Sequence, residues 1–228
     1  MIFNKHSDII GKHAILGASK YSWLNYDDEQ LWKAYVNSFA TDIGTLVHDY
    51  AKDKIVFRQR MEDNQSEKNA LMLHLLKNGI PFGVIPIENI FYNVLPYVND
   101  AIGFKMIPEQ VLYYSDFLFG TTDAISFSRN ILRIHDLKTG VRPASMDQLM
   151  IYAGLFFLEY KKDVTFPKTR TELRIYQNQE VIVHTPTNED ISIIMDKIIH
   201  GDMVIDKNLV EVGDHVQRRH WLWRTGFC

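Results

Sequence analysis

Cysteine is nearly missing from this chain: of 228 residues only the last, Cys228, carries a thiol. A disulfide framework and a thiolate metal site are therefore excluded, and packing alone must hold the core, as it can in a chain this long. Long apolar runs are missing too. No stretch approaches the ~20 apolar residues that span a bilayer, and the start MIFNKHSDIIGKHAILGASK has no basic head followed by a continuous apolar run. A cytoplasmic location is the expectation. The chain also lacks a basic excess. Its net charge of −3 does not advertise a nucleic-acid binder.

The charge is unevenly spread, however. Residues 1–128 carry 11 Lys+Arg against 15 Asp+Glu, residues 129–174 carry 9 against 5, and residues 175–228 carry 5 against 8. In the basic third, Arg129, Arg133, Arg142, Lys161, Lys162, Lys168, Arg170 and Arg174 are candidates for phosphate contacts or for an ordinary solvated surface, depending on whether they share a face.

That third overlaps the stretch GTTDAISFSRNILRIHDLKTGVRPASMDQLMIY, from Gly120 to Tyr152. ILRIHD has the β-branched, apolar character of a buried strand, closed by Gly140. Alternation with period two sends Asp136 and Lys138 to one face and Leu137 to the other. FLFGTTDAISF is also strand-like, and Ser128, Arg129 and Asn130 suit a hairpin turn, so antiparallel pairing brings Asp123 across from Asp136. Two close carboxylates stay ionised when they share a cation or have an ammonium beside them. Oxygen ligands of this kind suit a hard divalent ion such as Mg²⁺, or Mn²⁺, that also takes substrate phosphate. A neighbouring lysine can orient or deprotonate an attacking water. Alone, an Asp-x-Lys at a strand end is ordinarily a surface ion pair. Downstream, Gln148 and Tyr152 lie four apart on a helix and so share a face, where their polar tips need partners.

In order and spacing, GTTD, DLKTG and QLMIY resemble the PD-(D/E)XK nuclease superfamily, in particular its RecB-type branch, which also carries a histidine on an upstream helix, here His48 in GTLVHDYA. The resemblance spans about residues 44–184. It implies a restriction-endonuclease-like α/β core, a mixed sheet flanked by helices, with an N-terminal helical elaboration. It further implies metal ligation by His48, Asp123, Asp136 and the Leu137 carbonyl, with Glu109 of PEQVLYY where many of these nucleases have a glutamate. Catalysis would rest on Lys138 with Asp123 and Asp136, supported by Gln148 and Tyr152. Nothing local singles out His48 among nine histidines. The four-cysteine iron–sulfur cluster of some relatives is excluded.

Elsewhere, LGASKYSWLNY places Tyr21, Trp23 and Tyr26 before an acidic DDEQ that starts a helix; the rings either stack on bases or join the core. The helical pattern from Asp28 to about Arg60 breaks near Thr41 and Asp42, either of which suits a cap, and Gly44 invites close approach by another element. MEDNQSEKN reads as a loop, ALMLHLLKNG as a helix closed by Gly79, and IENIFYNVLPYVNDAIGF as a helix kinked or ended by Pro96. Residues 28–101 are thus mainly helical, either a wall over the site or plain scaffold. SMDQLMIYAGLFFLEYKK reads as a buried helix, TRTELRIYQNQEVIVHTP as a hairpin about Asn178 and Gln179, and TNEDISIIMDKIIHG as a helix from a Thr187 cap to Gly201. The tail VQRRHWLWRTGFC suits a DNA clamp, a docking strand or a cover for an apolar patch of its own domain.

Residues 1–104 therefore form a helical region contributing His48, and 105–228 the nuclease core with its tail. The function this implies is a Mg²⁺- or Mn²⁺-dependent DNA exonuclease of recombination, repair or phage DNA processing. DNA is its partner, along with a recombination or replication protein. A structure-specific endonuclease and a catalytically silent DNA-binding module are the alternatives.

Overall fold

A computed structural model describes residues 4–211; the tail motif VQRRHWLWRTGFC lies outside the described residues. The fold is α/β. Helix α1 (Asp28–Ser38) opens on a capping box, in which the Gln30 amide donates to Asp27 Oδ1 at 2.8 Å and the Asp27 amide to Gln30 Oε1 at 3.0 Å. Helix α2 (Ala40–Val56) follows after a break at Phe39, two residues ahead of the expected Thr41. Phe39 has no capping side chain; its ring meets Tyr35 edge-on at 5.2 Å and packs against the core, so tertiary burial overrides capping preference.

Helix α3 (Gln65–Lys77) is capped by Asn64, whose side chain accepts from the Glu67 amide, so it absorbs half of the polar run expected as a loop. It ends as expected at Gly79, whose φ of +87° suits glycine. Helix α4 (Ile87–Gly103) continues past Pro96 rather than ending there. Ile90, Phe91, Val94, Tyr97, Val98 and Ala101 bury its face, and this packing outweighs the one lost backbone hydrogen bond.

A five-stranded sheet follows, β1 (Ile107–Ser115), β2 (Leu118–Ser128), β3 (Ile131–Leu137), β4 (Arg170–Gln177) and β5 (Glu180–His184), arranged in sequence order. Only β3 and β4 run parallel; their crossover carries helix α5 (Asp147–Glu159). The β2–β3 and β4–β5 turns are the two-residue kind, with positive φ at Arg129 and Asn130 and at Asn178 and Gln179, as a primed turn needs. Helix α6 (Asn188–Glu211) starts at the Thr187–Asp190 cap but passes through Gly201 to Glu211. One interior glycine costs about 1 kcal/mol, which the continued helix absorbs. Gly154 of α5 has its own reason: a Cβ there would lie 2.9 Å from Ile198 Cδ1 and 3.0 Å from Ile194 Cγ2 of α6.

Helices cover both faces of the sheet. α2, α3 and α4 share a core with Ala124, Leu137 and Tyr176, so this helical layer packs directly on the sheet. α5 and α6 enclose Leu112, Ile125, Leu132, Ile134, Leu173 and Ile175 on the other face. Tyr21 and Tyr26 stay exposed and Trp23 half-buried, its indole donating to the Gly17 carbonyl; none of the three joins the core. Among the described residues no helix is long and apolar enough to cross a membrane.

Candidate active site

Three carboxylates stand in one row across three strands. The β1–β2 ladder pairs Pro108 with Ala124 and Gln110 with Thr122, which sets Glu109 opposite Asp123. The β2–β3 ladder ends at Ala124 and His135, and one step on sets Asp123 opposite Asp136, as hairpin pairing predicts.

The row coincides with a fault in the pleat. Ile125 and Leu112 both pack in the α5–α6 layer, and Gly120 faces Tyr152 of α5. Yet Ile125 and Gly120, like their partners Ile107 and Leu112, are an odd number of residues apart, which strict alternation would place on opposite faces. The sense changes at Glu109, whose φ is +55°. A non-glycine residue there costs roughly 1–2 kcal/mol, so the site stores strain.

From the helical side, α2 brings His48 Nδ1 to 3.6 Å from Asp123 Oδ2. Donor atoms of His48, Glu109 and Asp123 all lie within 4.8 Å of one another. Gly44, one turn earlier, faces Thr139: a Cβ would stand 3.5 Å from Thr139 Oγ1, an ordinary contact, so the approach is real but does not require glycine.

Asp136 is 2% exposed, its Oδ1 accepts from Lys138 Nζ at 2.9 Å, and its buried Oδ2 has no hydrogen-bond partner. Lys138 Nζ also donates to Gln148 Oε1 at 3.0 Å, and Gln148 Nε2 donates to the Tyr152 hydroxyl at 3.1 Å. The QxxxY pair therefore orients the lysine. Gly120 makes room for this arm, because a Cβ there would stand 2.8 Å from Tyr152 Cε1. Leu137 enters through its amide, which donates to Asp123 Oδ2 at 2.8 Å and ties the two acidic strands together.

Burial dominates the electrostatics. It pushes the Asp123 carboxyl up to about 6, against the opposing pull of His48 and with the charge of Asp136 adding to the rise. Burial also raises Asp136, which Lys138 opposes. The Tyr97 hydroxyl is raised well above its ordinary value by burial and then by the charges of Asp123, Glu109 and Asp136. The site thus concentrates negative charge where water is scarce, and among the described residues Lys138 is the ammonium that offsets it directly.

Two supporting residues escape sequence reasoning. Asn93 is fully buried; its Nδ2 donates to the Lys138 carbonyl at 3.0 Å and its Oδ1 accepts from the Gln179 amide at 2.7 Å, fixing the lysine's backbone. The signal was a lone amide in the apolar run IFYNVLPYV. Gln177 donates to the Gly140 and Arg142 carbonyls and accepts from the Ala144 amide, holding the loop between Lys138 and α5.

The basic residues, by contrast, do not gather at the site. Arg129 lies in the β2–β3 turn and Arg170 pairs with Ile131, about 20 Å along the strands from Lys138 at 3.3 Å per residue, with Lys168 beside them. Arg133 and Arg174 are bound to Glu172, Arg174 also to Asp100, and both lie over the Phe104 ring. Only Arg142 lies in the loop that follows Lys138. No protein-family model, no curated protein and no solved structure matches this chain.

Proposed function

We propose that this chain is a metal-dependent deoxyribonuclease with the restriction-endonuclease-like core of the PD-(D/E)XK superfamily, of the RecB-type branch. The observation that carries the reading is the in-register row Glu109, Asp123, Asp136, with Lys138 bonded to its last member and His48 beside its middle one. The donor set fits a hard divalent ion. Asp136 Oδ2 is buried without a partner, and burial disfavours charge on both aspartates, so a cation satisfies what the protein leaves unsatisfied.

His48, Glu109, Asp123, Asp136 and the Leu137 carbonyl would hold Mg²⁺ or Mn²⁺. When bound, such an ion supplies Lewis-acid polarisation of the scissile phosphodiester and a more acidic water. Lys138, steadied by Asp136 and Gln148, faces the charge that builds on the phosphoryl oxygens as water adds to phosphorus and the P–O ester bond breaks. Gln148 and Tyr152 position that ammonium. Helix α2 closes the site from one side, which favours an exonuclease acting on a threaded strand end in recombination, repair or phage DNA processing. Its location is cytoplasmic, with DNA and a recombination or replication protein as partners.

The placement of Arg129, Lys168 and Arg170 at the far end of the sheet favours a second reading, a structure-specific endonuclease, because few cations are left to draw a strand along a passage. One experiment tests both. End-labelled linear and covalently closed circular DNA, single- and double-stranded, are incubated with Mg²⁺, Mn²⁺ or chelator. Linear strands shortened only with metal, beside intact circles, support the exonuclease. Nicked circles select the endonuclease, and intact DNA throughout refutes both.

A further inference from the structure

The edge strand β5, sequence EVIVH, has a neighbour on one side only, β4, among the described residues. All five residues are exposed, with Val181 at 39%, Ile182 at 44% and Val183 at 53%. Edge strands are ordinarily blunted by a lysine, a proline, a bulge or a covering element. Among the described residues this one has none of these.

The pairing register fixes what the free edge offers. A two-residue turn makes Gln177 and Glu180 a hydrogen-bonded pair, and alternation then makes Ile175–Ile182 and Leu173–His184 bonded pairs as well. The in-between residues, Val181 and Val183, turn their N–H and C=O groups outward. Their partners Tyr176 and Arg174 turn the opposite way, and the Tyr176 carbonyl indeed accepts from the Lys138 amide beyond β3.

We infer that β5 is a self-pairing edge, on which a second copy of this chain adds its own β5 antiparallel about a twofold axis through Ile182. In that register Val181 of one copy lies opposite Val183 of the other, so both outward-turned residues fall in hydrogen-bonded pairs and every free polar group of the edge is satisfied. Ile182 meets its own mate, and Glu180 meets His184. These are the non-bonded pairs, whose Cα atoms approach to about 4.5 Å, the closer of the two spacings, suited to aliphatic packing and to a carboxylate–imidazole contact. The five-residue sequence is thus complementary to itself reversed, acid to imidazole at the ends and aliphatic in between. On its own chain His184 has Asp190 nearby, but that carboxylate already accepts from the Thr187 amide and hydroxyl. The twofold contact is isologous and closed, and it joins two five-stranded sheets into one without touching the row of acids. It does not depend on the nuclease reading.

Sedimentation velocity of the full chain over a wide concentration range tests this. The parent protein shows a concentration-dependent monomer–dimer equilibrium. His184→Glu alone sets carboxylate opposite carboxylate twice, and Glu180→Lys alone removes both carboxylate–imidazole contacts; each weakens association roughly 3- to 30-fold, whereas the double variant Glu180→Lys/His184→Glu restores it. All these side chains are exposed, so at concentrations where the parent is monomeric the circular dichroism melts of the variants stay at the parental value. In a Cys228→Ser background, Ile182→Cys forms an interchain disulfide on mild oxidation and Val181→Cys does not, because only the first lies opposite itself. A monomer at every concentration overturns the inference, including one in which residues 212–228 of the same chain cover the edge. So does a dimer indifferent to both single reversals, or a crosslink pattern with Val181→Cys favoured.

Discussion

Asp123→Asn should stabilise the metal-free protein while abolishing its activity. The Asp123 carboxyl is raised to about 6 from an ordinary 3.8, and its side chain is 17% exposed. A folded-state value above the unfolded one means that the folded protein binds the proton more tightly, so the ionised carboxylate costs stability at high pH and the cost fades as pH falls through 6. At about 1.4 kcal/mol per pH unit the cost is about 3 kcal/mol at pH 8, roughly half that at pH 5 and nearly gone at pH 4. Asparagine keeps an oxygen for the Leu137 amide and carries no charge. The variant should therefore melt up to about 6–12 °C above the parent at pH 8 in chelator, with the two curves converging by pH 4. His135 runs the other way: burial, then Arg174 and Arg133, lower it to about 3, so its contribution is lost as pH falls below about 6.5. Taking the difference between variant and parent at each pH cancels that term. Added Mg²⁺ or Mn²⁺ should raise the parent's melting temperature and leave the variant's unchanged. A variant that melts below the parent at pH 8 in chelator would refute the claim that Asp123 is held ionised at a cost.

Lys138→Ala should lower turnover by roughly 10²–10⁴ while leaving the metal-induced rise in melting temperature intact, since the ammonium acts on the transition state; loss of that rise would recast Lys138 as the group that holds the acids together. His48→Ala should raise the Mg²⁺ or Mn²⁺ concentration needed for half-maximal activity, read from metal titrations, and an unchanged requirement removes His48 from the ligand set. Gly120→Ala should push Tyr152 off its place beside Gln148, at a cost of about 1–3 kcal/mol in chemical denaturation and with a lower kcat; a neutral outcome means that the ring moves aside freely.

What could be read in advance was what local chemistry dictates. Both hairpin turns, the Thr187–Asp190 cap and the shared face of Asp136 and Lys138 follow from period-two alternation and turn preferences, and the structure keeps them. The placement of Asp123 across from Asp136 followed too, although the turn is one residue shorter than expected: Ser128 belongs to β2 and pairs with Ile131, leaving Arg129 and Asn130 as the turn. Where packing competes with a local signal, the local signal lost: Phe39, Pro96 and Gly201 each lie where burial or helix continuation decides. The basic stretch failed for a different reason. Residues close in sequence to Asp136 lie at the far end of the sheet, because a parallel crossover returns the chain to the start of the neighbouring strand.

Taken together, the site's departures from ordinary folding all have the same sense. Glu109 is held at positive φ, Asp123 and Asp136 are buried against their own preference for charge, and a buried amide, Asn93, is spent on one carbonyl of Lys138 and the turn beyond it. None of these features improves the core, and a sheet of leucine and valine at the same positions would be the more stable. Strain of this kind persists only where the surrounding structure over-determines it, and here two helical layers and three strands do so. A site that costs stability without a cation and would regain it with one is the arrangement expected of a centre whose work is done in the loaded state. The stability of the metal-free protein therefore distinguishes the nuclease reading from that of a silent module of the same fold. A silent module has no reason to keep carboxylates in that row, and in one, replacement of Asp123 or Asp136 would be free to become the parental sequence.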